Sequence, residues 1–106
     1  MNQIMQSEKS WQGQVIELAR TLGYEFIYFT WNSKHSPRGY PDLIILLDGR
    51  MIVAELKRED GHLTPEQYFW LEEFMKVTDD VYVWKPSDFD KVVEVLTPTH
   101  KGGTEL

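Results

Sequence analysis

The sequence contains no cysteine. Disulfides and thiolate metal centres are therefore excluded, both as staples of the fold and as a source of chemistry. Histidine is scarce, and His35, His62 and His100 stand too far apart for the close helical pairing of a zinc hydrolase. No apolar run approaches the roughly 18 residues of a membrane span, and the opening MNQIMQSEKS lacks the basic and apolar regions of a signal peptide. These absences lead us to expect a soluble cytoplasmic protein with no membrane partner. An excess of basic charge is missing too. Lys and Arg number 11 against 17 Asp and Glu, a net charge of -6 that disfavours phosphate partners if spread evenly. It is not spread evenly: residues 63–106 carry nine acidic and four basic side chains, whereas residues 31–62 carry five of each.

What is present is ordinary globular material, 42% hydrophobic and 13% aromatic over 106 residues. That length suits one domain spanning residues 1–106, with an ordered core over about 7–96 and a flexible tail from 97 to 106. Trp11, Val15, Leu18, Ala19 and Leu22 recur at helical steps between Ser7 and Leu22, and Gly23 ends the pattern. Glu25–Trp31 reads as a strand, NSKHSPRGYP as a loop, and Asp42–Leu47 with Arg50–Lys57 as a hairpin. Thr64-Pro65-Glu66-Gln67 has the capping-box pattern of a helix start, followed by an apolar face of Trp70, Leu71, Phe74 and Met75. Val81–Trp84 is a short strand, and Ser87-Asp88 caps a last helix to about Leu96. The expected fold is α/β in the order α-β-β-β-α-β-α, a mixed central sheet flanked by helices.

The hairpin carries the most information. Asp48-Gly49 between apolar runs is the usual sequence of a two-residue type I′ turn. Leu47 then faces Arg50, and Asp42 falls opposite Glu55. One face carries Asp42, Ile44, Leu46, Met51, Val53, Glu55 and Lys57; the other carries Leu43, Ile45, Leu47, Arg50, Ile52, Ala54 and Leu56. Both are largely apolar, so both should be covered. Opposed carboxylates repel unless a cation or a shared proton lies between them, and Mg²⁺ accepts two carboxylates completed by a carbonyl and water. Lys57 projects into the same space. The competing reading makes these residues solvated strand ends, since Glu-x-Lys is common by chance.

Gly39-Tyr40-Pro41-Asp42, Glu55-Leu56-Lys57, Gly61, Leu63-Thr64-Pro65-Glu66-Gln67 with Trp70, and Trp84-Lys85-Pro86-Ser87-Asp88 together resemble the VRR-NUC family of the PD-(D/E)XK nuclease superfamily. The resemblance spans Ser7 to Leu96, and the size is similar to the small stand-alone phage and prophage members. It implies a restriction-endonuclease-like core in which Asp42 and Glu55 bind Mg²⁺ or Mn²⁺ and Lys57 is the active-site lysine. It also implies a glutamine on the following helix, matched by Gln67, and a glutamate on the first helix. Glu8 shares the buried face with Trp11 and Val15, while Glu17 should face water; Glu8 is the choice. For Gln67 the alternative is a helix cap alone, and for Glu8 a favourable charge at the helix N-terminus. Where some relatives carry a histidine near the end of the first strand, this chain has Phe29.

Lys34, His35, Arg38 and Arg58 are the candidates for gripping DNA phosphates, against the alternative of a solvated loop. Trp31, Tyr40 and Tyr68 are candidates for stacking on bases or for packing. The function implied is metal-dependent hydrolysis of DNA phosphodiester bonds at branched structures such as Holliday junctions, by a homodimer in a bacterial or phage-infected cell. Two other readings compete: a non-catalytic DNA-binding module on the same fold, and an acidic protein-interaction module that mimics DNA.

Overall fold

The computed structural model describes residues 5–30 and 35–98. In order they form helix α1 (Glu8–Thr21), strands β1 (Phe26–Phe29), β2 (Leu43–Leu47) and β3 (Arg50–Leu56), helix α2 (Pro65–Met75), strand β4 (Asp80–Trp84), a 3₁₀ turn (Pro86–Asp88) and helix α3 (Phe89–Leu96). The four strands make one mixed sheet in the order β1-β2-β3-β4, antiparallel except for the parallel pair β3 and β4. This is the expected α/β order. Trp31, Lys34, His100 and the tail beyond Pro98 lie outside the described residues. No helix among the described residues is long and apolar enough to cross a membrane.

The hairpin has the register its turn dictates. Leu47 pairs with Arg50 and Leu43 with Ala54, while Asp48 and Gly49 take φ of 48° and 82°. Positive φ at both central residues defines the type I′ turn, whose twist matches that of the flanking strands. Leu43, Ile45, Ile52, Ala54 and Leu56 share one face and are fully buried against Trp11, Val15, Ala19, Val92 and Leu96 of α1 and α3. Trp11 anchors this layer: it is wholly buried, and its indole N–H donates to the Trp84 carbonyl at 3.0 Å, so its one polar atom is satisfied.

The opposite face corrects the expectation of cover on both sides. α2 lies over β3 and β4 there, with Val53 and Leu71 buried, but among the described residues no helix covers β1 and β2. Phe26, Tyr28 and Leu46 are consequently 68%, 55% and 48% exposed. The strand register aligns Phe26 with Leu46 and Met51, then Tyr28 with Ile44 and Val53, so the open rows run toward Asp42 and Glu55.

Three local expectations also change. Met75 ends α2 and is exposed instead of joining its apolar face. Asp88 does not cap α3; its carboxylate accepts the Lys85 N–H at 2.9 Å and closes the 3₁₀ turn. Ser87 instead gives both its N–H and hydroxyl to Glu59, at 2.9 and 2.7 Å, tying that turn to the loop after β3.

Candidate active site

The end of the hairpin away from its turn gathers the acidic residues. Asp42 lies one residue before β2, its carbonyl accepting the Thr30 N–H at 2.9 Å and its Oδ2 the Leu56 N–H at 3.0 Å. Both bonds hold it beside the end of β3. Glu55 is 1% exposed, and burial first, then the charge of Asp42, push its carboxyl up to about 8. Lys57 opposes this only partly, its Nζ lying 3.5 Å from Glu55 Oε2. The Glu55 carboxyl therefore holds its proton at neutral pH, the alternative to a cation beside it.

Gln67 serves both of the roles set against each other in the sequence. Its Oε1 accepts the Thr64 N–H at 2.9 Å while its own N–H donates to the Thr64 hydroxyl at 3.1 Å, completing the capping box. The other end of its amide, Nε2, donates to Glu55 Oε2 at 3.0 Å. Cap and site are thus one side chain. Lys57 and Gln67 both address Oε2, which leaves Glu55 Oε1 buried with no hydrogen-bond partner. A buried, unpartnered carboxylate oxygen beside a second carboxylate fits a hard cation. Among the described residues no group of three or more His, Asp or Glu side chains is close enough to make a cage, so an ion here needs carbonyl or water oxygens besides Asp42 and Glu55.

Glu8 enters from α1. Ser7 caps that helix by accepting the Ser10 N–H at 3.0 Å, and Trp11 fixes its first turns over the end of β4. Burial raises the Glu8 carboxyl, with opposing influences from Lys57 and Asp42 that place it within electrostatic reach of the pair. Glu17 is exposed, as its helical angle requires.

Beyond the acids lies a cleft of about 460 Å³ lined by Thr30, Ser36, Pro37, Arg38, Gly39, Tyr40, Asp42 and Gln67. Its loop is pinned to α2. The Trp70 indole donates to the Arg38 carbonyl at 3.1 Å, and Tyr40 packs edge-on against Trp70 and Phe74 at 5.1 and 6.1 Å. Tyr40 is thereby a packing residue; Tyr68 stays half exposed. Gly39 has φ +87° and lies so close to α2 that a Cβ there would meet the Glu66 carbonyl carbon at 2.5 Å. Arg38 is exposed on the cleft and makes no ion pair among the described residues, whereas Arg58 is engaged by Asp60 at 2.8 Å and leans on Met5 sulfur. His35 is exposed outside the cleft lining.

Sequence reading missed Thr30 and Ser36 as cleft residues, and Glu59 with Ser87 as the brace behind Lys57. A hydroxyl in a loop carries no periodic signal, and a bond between residues 28 apart carries none at all. A larger cleft of about 560 Å³ at the turn end of the hairpin includes Arg50 and Asp80. Those two already satisfy one another through two bonds of 3.2 and 3.0 Å. No family model, curated protein or solved structure matches the chain.

Proposed function

We propose that this chain is a divalent-metal-dependent DNA endonuclease of the VRR-NUC kind, with a PD-(D/E)XK site, that hydrolyses phosphodiester bonds at branched DNA as a homodimer. The observation that carries the reading is the convergence of Asp42, Lys57 and Gln67 on Glu55, whose Oε1 is buried without a partner. Asp42 and Glu55 are the residues that would hold Mg²⁺ or Mn²⁺. Such an ion supplies water activation and neutralises charge at the scissile phosphate.

The chain's own groups do the rest. Gln67, held at its other end by the capping box, fixes the Glu55 carboxyl in one orientation. Lys57 presents its Nζ to the same space, placed to donate to a water or a non-bridging phosphate oxygen. Glu8, with its raised carboxyl, is a proton acceptor at the rim. In hydrolysis the water oxygen bonds to phosphorus, the bond to the leaving sugar oxygen breaks, and the water's proton is taken up by such a base while the leaving oxygen gains one. Homodimerisation is supported by the open apolar rows on β1 and β2, which a second copy can cover by two-fold symmetry.

The test is cleavage of linear, flap, splayed and four-way DNA with Mg²⁺, Mn²⁺ or chelator. Metal-dependent scission lost in Asp42→Asn and Lys57→Ala, each with an unchanged circular dichroism spectrum, is the expected result. Undiminished scission by either variant removes the assignment. Tight binding with no scission by the unaltered protein assigns it as a binding module instead.

A further inference from the structure

The cleft beside the acid pair is too small for a double helix and well suited to one nucleotide. It has about 460 Å³ of space, within the range of small-molecule sites, and its walls reach from the Pro37–Tyr40 turn to Asp42 and Gln67. The turn is rigid for stated reasons: Tyr40 N–H closes on the Pro37 carbonyl at 3.1 Å, Gly39 holds a positive φ, and Trp70 ties the Arg38 carbonyl to α2. That turn is thereby preorganised against α2. Its lining includes Arg38, a cation with no partner among the described residues, and Ser36, whose hydroxyl makes no hydrogen bond there. The same lining includes Asp42 and Gln67, whose amide steadies Glu55. A ligand spanning it has an anionic group at Arg38 and a hydrogen-bonding body no larger than one sugar and base.

We propose that this cleft is a subsite for a single unpaired nucleotide of the strand being cut, adjacent to the scissile phosphate. It rests on the nuclease reading and sharpens it: the preference for branched DNA comes from admitting a nucleotide already out of the stack, since a paired base must first be extruded.

The test uses a fully paired duplex, the same duplex with one unpaired nucleotide in the cut strand, and a four-way junction, each with 2-aminopurine next to the cleavage position. Scission is followed with Mg²⁺, and 2-aminopurine fluorescence with Ca²⁺. The unpaired site is expected to be cut at least about tenfold faster than the paired duplex, with a fluorescence change on binding. Ser36→Trp, which fills the cleft, and Arg38→Ala should each remove that preference and signal while Mn²⁺ binding, read by electron paramagnetic resonance, is retained. Equal cutting of paired and unpaired substrates, or a preference unaffected by Ser36→Trp, overturns the subsite and leaves the nuclease reading standing. A fluorescence change that Ser36→Trp abolishes, with no scission of any substrate, upholds the subsite and ends the nuclease reading. Neither signal nor scission ends both.

Discussion

Glu55 costs stability in the metal-free protein. Its carboxyl is raised from 4.5 to about 8 by burial and by Asp42, so the folded state holds a proton that the unfolded chain has already released at neutral pH. The associated stability is complete below the unfolded value and is lost as pH rises toward 8. Metal-free protein should therefore melt at progressively lower temperature from pH 5 to pH 8, while saturating Mg²⁺ flattens the slope, because a cation needs the deprotonated form. Glu55→Gln should abolish the slope and raise the melting temperature at pH 8 while eliminating cleavage, a comparison made by calorimetry across pH. A slope equal to that of the unaltered protein would show that another group carries the titration. Asp42 differs in being held by the Leu56 N–H, a bond that an Asn can retain. Asp42→Asn is accordingly the cleaner way to remove charge without orphaning a backbone donor.

The start of α2 joins a helix cap to the acid pair. Gln67 closes its capping box and fixes Glu55, while Gly39 brings the preceding loop against Glu66. Thr64→Ala should cost about 1 kcal/mol of stability, the usual loss of a cap, and also lower cleavage about tenfold or more by loosening the Gln67 amide, as lost outer-shell contacts do. Denaturant unfolding and single-turnover cleavage on the same sample measure the two effects; a stability loss with unchanged cleavage would show that Glu55 does not depend on the cap. Gly39→Ala combines a positive φ with a clash against backbone and should lift the loop from α2, at a cost of roughly 1–3 kcal/mol or more. Its fluorescence signature is Trp70, which loses its Arg38 partner.

The molecule as a whole is asymmetric in its cover. Helices α1 and α3 close one face of the sheet, but on the other α2 lies over β3 and β4, and Phe26, Tyr28 and Leu46 remain open. β1, which carries Phe26 and Tyr28, is an outer strand of the four described. Exposed apolar rows of this kind mark association surfaces. In analytical ultracentrifugation the chain of 12.5 kDa should sediment as a dimer. Phe26→Glu combined with Leu46→Glu should return it to a monomer without lowering the melting temperature of that monomer. A monomer at every concentration, with those residues intact, would remove the homodimer from the proposal.

Much of this was written in local patterns. Asp48-Gly49 determined the turn and the turn determined the register, whose continuation brings Asp42 beside the end of β3, where Glu55 and Lys57 meet. Thr64-Pro65-Glu66-Gln67 determined where α2 begins, and helical periodicity placed Glu8 inward and Glu17 outward. Such signals are legible because turns, caps and periods involve residues a few positions apart. Only the tertiary structure decided that Gln67 serves cap and acid pair together, that Arg38 makes no ion pair among the described residues while Arg58 is engaged by Asp60, and that Glu59 braces Ser87. It also decided that the β1 and β2 face stays open, against the expectation from an apolar hairpin. Alternation shows that a strand has two apolar faces, but cover depends on where a helix returns after crossing the sheet, and α2 returns over β3 and β4.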